Sequence, residues 1–433
     1  MTRWMSDWRP DDPVFWAGTG RAVARRNLVF SIVAEHLGFT VWTLWSIVAA
    51  KTGSREFSTD ELFWLVALPN LVGSALRLPY TFGPARFGGR NFTVASALLL
   101  LVPAIGLAVA VERPGTPYWV LLVIAATAGL GGGNFASSMA NITHFYPRER
   151  QGAALGLNAA GGNIGVSSVQ LVMPLVIGAF GLGAAGWFWV PFIVVAAVCA
   201  WLFMDNLAVA KASPREQWAV AGRAQTWVMS LLYIGTFGSF IGYSTGFPLL
   251  ARSLYPDAPW AAVAFAGPLL GSLVRPVGGW LADRLGGARV TLWNFAAMAA
   301  GIALVWTAGS FWAFFLAFQV LFLTAGIGNG STYRMIPAIF HAKAEREHGP
   351  GEKALLHGRR HASAAVGIIS AVGAFGGFLI NRAFGASFAQ TGSPAAAFAA
   401  FGLFYAACFA LTWWCYVRTA GVSRLGGLAH ARV

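Results

Sequence analysis

The chain has 433 residues, 57% of them apolar and only 11% charged, with a mean hydropathy of +0.62. A water-soluble domain carries about a quarter charged residues, so a soluble enzyme is excluded. The net charge of +14 would suit a nucleic-acid binder only if the basic residues shared one solvated surface, and their distribution along the chain argues against that.

Residues 1–27 are polar, basic and Trp-bearing, without a short apolar core ahead of a small-residue cleavage site. They read as a cytoplasmic arm, amphipathic or flexible, rather than a cleaved leader. Apolar runs of about 20 residues, the length that crosses a bilayer, then follow twelve times, at about 28–50, 62–83, 92–112, 118–143, 152–180, 185–204, 226–250, 259–282, 288–308, 311–340, 362–381 and 395–417. The fold class is therefore an all-α membrane protein of twelve transmembrane helices. With both termini cytoplasmic, 22 basic residues fall on the cytoplasmic side and 5 on the other. The basic pI then reports orientation in a cytoplasmic (inner) membrane, and no nucleic-acid partner is expected.

Within these runs the chain repeats itself. Arg77, Arg86, Gly88 and Gly89 recur 198 residues on as Arg275, Arg284, Gly286 and Gly287. Ala128–Gly131 recurs 197 residues on as Ala325–Gly328, and Gly156, Gly162 and Gly165 recur 211 residues on as Gly367, Gly373 and Gly376. The chain thus divides into an arm (1–27), a six-helix half (28–204), a cytoplasmic linker (205–225), a second six-helix half (226–417) and a cytoplasmic tail (418–433). Two pseudo-symmetric halves of this kind resemble the major facilitator fold, in which substrate binds near the midplane. The loop Asp283-Arg284-Leu285-Gly286-Gly287 resembles that superfamily's loop after the second and eighth spans, which implies a gating role for Asp283 and Arg284. Asp283 reads as a hinge or an interdomain salt-bridge partner.

Arg77 and Arg275 each precede a cytoplasmic arginine by nine residues. At 1.5 Å per residue each lies ~13 Å inside the bilayer, where a cation needs a counter-charge or a wet cavity. Glu35 is the one carboxylate well inside a span, so the pair leaves positive charge for an anionic ligand to neutralise. The guanidinium fork suits a planar oxyanion. Arg334 has Ser137 at the equivalent place and lies about seven residues from the polar segment near His341. It reads as a gate or snorkelling arginine. His144 reads as a surface residue.

The Gly-rich runs 129–133 and 156–165 lie inside spans, without the strand and turn of a nucleotide loop; small residues there let helices approach closely. The three cysteines, all in apolar stretches, form neither a disulfide framework nor a metal cluster, and no cofactor is expected. Residues 152–163, with Gly152, Gly156, Asn158, Gly162 and Asn163, resemble the first nitrate motif of the nitrate/nitrite porter family. Residues 367–378, with Gly367, Gly373 and Gly376, resemble the second. The stretches 134–142 and 328–332 are similar to that family as well. The resemblance implies alternating-access transport of nitrate and nitrite, with Arg77 and Arg275 clamping the anion. It further implies that Phe135 and Phe237 sandwich the anion and that Asn163 and Tyr233 are polar contacts. A proton site at Glu35 would make the chain a nitrate–proton symporter, working as a monomer in the lipid bilayer. Nitrate/nitrite exchange without protons stays open, as do, less favoured, an anion channel and a nitrate sensor.

Overall fold

A computed structural model describes residues 4–52, 57–208 and 214–418. Residues 209–213 of the expected linker and 419–433 of the expected tail lie outside the described residues. So do Arg3, Arg55, Lys211, Arg424 and Arg432 of the basic residues counted by side.

Among the described residues, eleven helices are long and apolar enough to cross a membrane. The remaining expected span is the run Ala224–Leu254, broken by a five-residue π-helical segment, Ile234–Gly238. Every residue from Ser239 to Ala251 is buried, so its serines, threonines and glycines face protein and the segment can be less apolar than its neighbours.

The chain resolves into two compact units, residues 1–213 with 259–265, and 214–258 with 266–433. The first contains α1 (Arg21–Trp42), α2 (Trp45–Thr52), α3 (Thr59–Phe87), α4 (Gly89–Leu99), α5 (Leu101–Glu112), α6 (Tyr118–Ala128), α7 (Leu130–Thr143), α8 (Arg148–Phe180) and α9 (Trp189–Phe203). The second contains α10 (Ala224–Tyr233), α11 (Ser239–Leu254), α12 (Ala266–Leu285), α13 (Gly287–Trp306), α14 (Phe311–His348), α15 (Glu352–Thr391) and α16 (Ala395–Thr412).

Local chemistry sets the ends. Ser58 and Glu61 form a reciprocal capping box that starts α3. The duplicated loop glycines Gly88 and Gly286 have nearly identical backbones, φ 88° and 90° with ψ 141° and 129°. Only glycine adopts that region readily, which is why both copies carry it between α3 and α4 and between α12 and α13. Helices α14 and α15 run well past the apolar stretches 311–340 and 362–381. Charge marks where lipid ends, and the Ala, Glu, Lys and Leu that follow still favour helix.

Glycine also fixes the packing. A Cβ on Gly131 would sit 2.1 Å from the Gly38 carbonyl oxygen, and one on Gly326 would sit 2.3 Å from that of Gly271. The Gly-rich runs are contact surfaces, α7 on α1 and α14 on α12.

The described part of the arm, from Trp4, is folded onto the first unit. Trp4–Met5 pairs in parallel with Asn206–Leu207. Trp8 and Trp16 are buried in a cluster with Ala24, Leu28, Ile142, Phe145, Ala154 and Leu207. The Trp8 indole donates to the His144 carbonyl at 2.9 Å. His144 is thereby half-buried rather than a surface residue, and burial pushes its imidazole below the ordinary histidine value. The reason is the aromatic content of the arm: tryptophans spaced along a polar segment find an apolar seat and carry the backbone with them. Asp205, at the start of the expected linker, accepts from Arg26 at 2.6 Å and Asn27 at 2.9 Å.

Candidate functional site

In the first unit, α3 carries Arg77 into the protein interior, where it is 0% exposed. Its Nε donates to the Gly132 carbonyl at 3.3 Å, and its guanidinium lies 4.6 Å from the ring of Phe135 and 5.5 Å from that of Trp42. Phe135 in turn packs edge-on against Phe39, with ring centroids 6.2 Å apart. A cation over aromatic faces gains about 0.5–2 kcal/mol, which offsets only part of the cost of desolvating a guanidinium. The Gly-rich start of α7 lets the ring and the Gly132 carbonyl come this close.

Beside this group, α1, α7 and α8 build a polar chain. Asn158 Nδ2 donates to Glu35 Oε2 at 2.7 Å and to Ser138 Oγ at 2.6 Å, and Ser138 meets Ser31 at 2.8 Å. Glu35 is 1% exposed. A Cβ on Gly162 would fall 2.3 Å from Glu35 Oε1, so the motif glycine makes room for the carboxylate. His36 turns instead to the Gly161 carbonyl at 3.1 Å. Asn163 is buried, and neither end of its amide has a hydrogen-bond partner among the described residues. The same holds for Asn134, one residue before Phe135. Buried amides are normally satisfied, so these two stand out in the first unit.

The second unit repeats the plan with different side chains. Arg275 on α12 is 8% exposed, forms no ion pair among the described residues, and has no partner for Nη1. Its guanidinium lies 5.5 Å from the ring of Tyr333. Tyr333 is 6.3 Å from Tyr233, which stacks on Phe237 at 5.4 Å and 13°. A Cβ on Gly373 would fall 2.3 Å from the Tyr233 ring, and one on Gly376 would fall 2.7 Å from the Gly238 Cα. Gly162 and Gly373 are repeat partners, so Glu35 and Tyr233, 198 residues apart, occupy the same place in the two units. The π segment carries Phe237 just past that place.

Other expected residues lie elsewhere. Asp283 is paired with Arg334 at 2.5 Å, both more than half exposed and both in the second unit, so the carboxylate has its partner within its own unit. The Arg284 guanidinium lies 4.2 Å from the Trp280 ring. Gly152 and Gly156 have nothing within 4 Å of a built Cβ, unlike Gly162, Gly373 and Gly376; Gly367 is buried in α15 and Asn158 is absorbed into the Glu35 chain. Tyr333 and Trp42 were missed by sequence reasoning. The available signal was that Tyr333 directly follows the motif 328–332, but in a chain that is 14% aromatic it does not stand out.

The sequence profile of the Major Facilitator Superfamily matches residues 28–350. The chain is 46% identical to the nitrate/nitrite transporter NarU of Salmonella typhimurium, over 96% of each chain. It is 37% identical to a probable nitrate/nitrite antiporter, NarK2, of Thermus thermophilus, over 96% of this chain and 97% of that one. Its fold is similar to that of a bacterial homologue of the human lysosomal transporter Spinster, with a TM-score of 0.64 at 15% identity, covering 89% and 95% of the two chains. Two duplicated helical units, with Arg77 and Arg275 buried over aromatic rings at matching places of the repeat, and relatives matched along nearly their whole length together make this chain a member of the nitrate/nitrite porter family of the major facilitator superfamily.

Proposed function

We propose that this chain carries nitrate and nitrite across the cytoplasmic membrane by alternating access, and that Arg77 and Arg275 clamp the anion. The observation that carries this reading is Arg275, buried without an ion pair and with an unused N–H among the described residues. A stranded cation of this kind is costly in a membrane protein, and a planar anion would satisfy the guanidinium fork bidentately. Phe135, Phe237 and Tyr333 supply flat walls that favour a planar oxyanion over a tetrahedral one. Asn163 and Tyr233 add polar contacts. The uneven distribution of basic residues supports an orientation with both termini in the cytoplasm.

Uptake of an anion against a negative-inside potential costs about 2.3 kcal/mol per 100 mV, so a driving ion is required. Glu35 is the carboxyl placed to carry it, and proton symport is the first reading. Exchange of nitrate for nitrite is the second, favoured by the name of the Thermus relative. Nitrate uptake into proteoliposomes with a luminal pH dye, with and without internal nitrite, tests both. Acidification in nitrite-free vesicles, lost in Glu35→Gln, supports symport. Uptake only with internal nitrite and no pH change supports exchange. Arg77→Lys and Arg275→Lys should each lower uptake at least 100-fold at normal expression, the cost of losing one bidentate charge-assisted contact of about 3 kcal/mol. Wild-type uptake in both variants would defeat the clamp.

A further inference from the structure

The second unit holds a cleft of about 390 Å³ that the clamp does not use, between the end of α12, the start of α13, the C-terminal third of α14 and the start of α15. Its charged lining is Asp283, Arg334 and Arg359, with His341 beside them. Asp283 is engaged by Arg334 through Nε at 2.5 Å. Arg359 forms no ion pair among the described residues, and His341 lies 3.5 Å from Glu345. One carboxylate thus faces two guanidiniums, and the cleft keeps a positive charge over a small-residue floor of Gly287, Ala338 and Ala362.

The duplication accounts for one of these charges, Arg359, and not for the Asp283–Arg334 pair. The offsets 198, 197 and 211 set Ala85, Ser137 and Arg148 opposite Asp283, Arg334 and Arg359. The loop glycines are shared by the two halves because the backbone needs them. The Asp–Arg pair is confined to one half, so it serves something the shared frame does not require. Asp283 follows Arg275 by eight residues on α12, a rise of ~12 Å. That is one short step along the helix from the clamp arginine.

We propose that this cleft is a second anion site, holding a small oxyanion between the Arg334 and Arg359 guanidiniums as it enters or leaves the second unit. Nitrate as its ligand rests on the function proposed above; the excess charge of the cleft does not. Both arginines are solvated, so binding is weak, with a dissociation constant on the order of millimolar. Weak binding suits a station from which the anion must depart.

The test is labelling of Ala338→Cys by an uncharged maleimide, with the native cysteines replaced by alanine and the full chain in phosphatidylcholine nanodiscs. Sodium nitrate should slow labelling several-fold relative to sodium gluconate at equal ionic strength. Arg359→Gln should abolish the slowing, whereas Arg77→Lys should leave it intact. No slowing, or equal slowing in Arg359→Gln, overturns the site. Slowing by phosphatidylglycerol in the disc, with none from nitrate, would make the occupant a lipid phosphate and also overturns it. Uptake by the wild-type chain is measured in parallel. Protection without uptake would sink the transport reading alone, and uptake without protection would sink the second site alone.

Discussion

A charge in an apolar run is the loudest signal a membrane sequence carries, and Arg77 and Arg275 were legible for that reason. Their surroundings were legible only in part. Phe135 came from the family resemblance, whereas Trp42 and Tyr333 are chosen by helix packing, and its place after the motif 328–332 does not lift Tyr333 above the other aromatic residues. Glu35 was legible as a buried acid, but its tether was not: Asn158 lies 123 residues away on α8, and the contact exists only because Gly162 admits the carboxylate. Asn158→Ala should remove the amide donor that joins Glu35 Oε2 to Ser138 Oγ. A loss of about 1–3 kcal/mol follows from deleting buried hydrogen bonds, one of them to a charged group, to be read as a lowered unfolding midpoint in nanodiscs. An unchanged midpoint would show that Glu35 has other support.

At the scale of the helix, the sequence marked the spans well and their interruptions poorly. The π segment 234–238 and the continuation of α14 and α15 past the lipid depend on neighbours and on helix propensity, neither of which a hydropathy profile reads. The two nitrate motifs divide in the same way. Gly373 lies against Tyr233, so Gly373→Ala must push a ring aside, at a cost of about 1–3 kcal/mol, together with reduced uptake. Gly156 faces open space, so Gly156→Ala should be neutral or stabilising by up to about 1 kcal/mol from helix propensity. Measuring stability and uptake for both variants separates a motif position that packs from one that does not. Equal losses in the two would mean that Gly156 serves something outside these packing contacts.

For the whole chain, the duplication gave the architecture, because a repeat in sequence is a repeat in fold. What it could not give was the folded N-terminal segment, which lies outside the repeated sequence. Trp8→Ala should remove about 3–5 kcal/mol, the usual cost of emptying a buried tryptophan site. The expected readout is early proteolysis within residues 4–20, and resistance equal to wild type would mean that the segment is held by its strand pairing alone. The divergence of the halves at Glu35 and Tyr233 divides their labour. Halves repeated in parallel exchange one half for the other and never one membrane face for the other, so their likeness puts no limit on direction; what their difference changes is the share each takes. Here a carboxylate in straight helix answers a phenol beside a π turn. Under the cycle proposed above the driving proton is the first unit's cargo alone, and the second unit travels as its passenger.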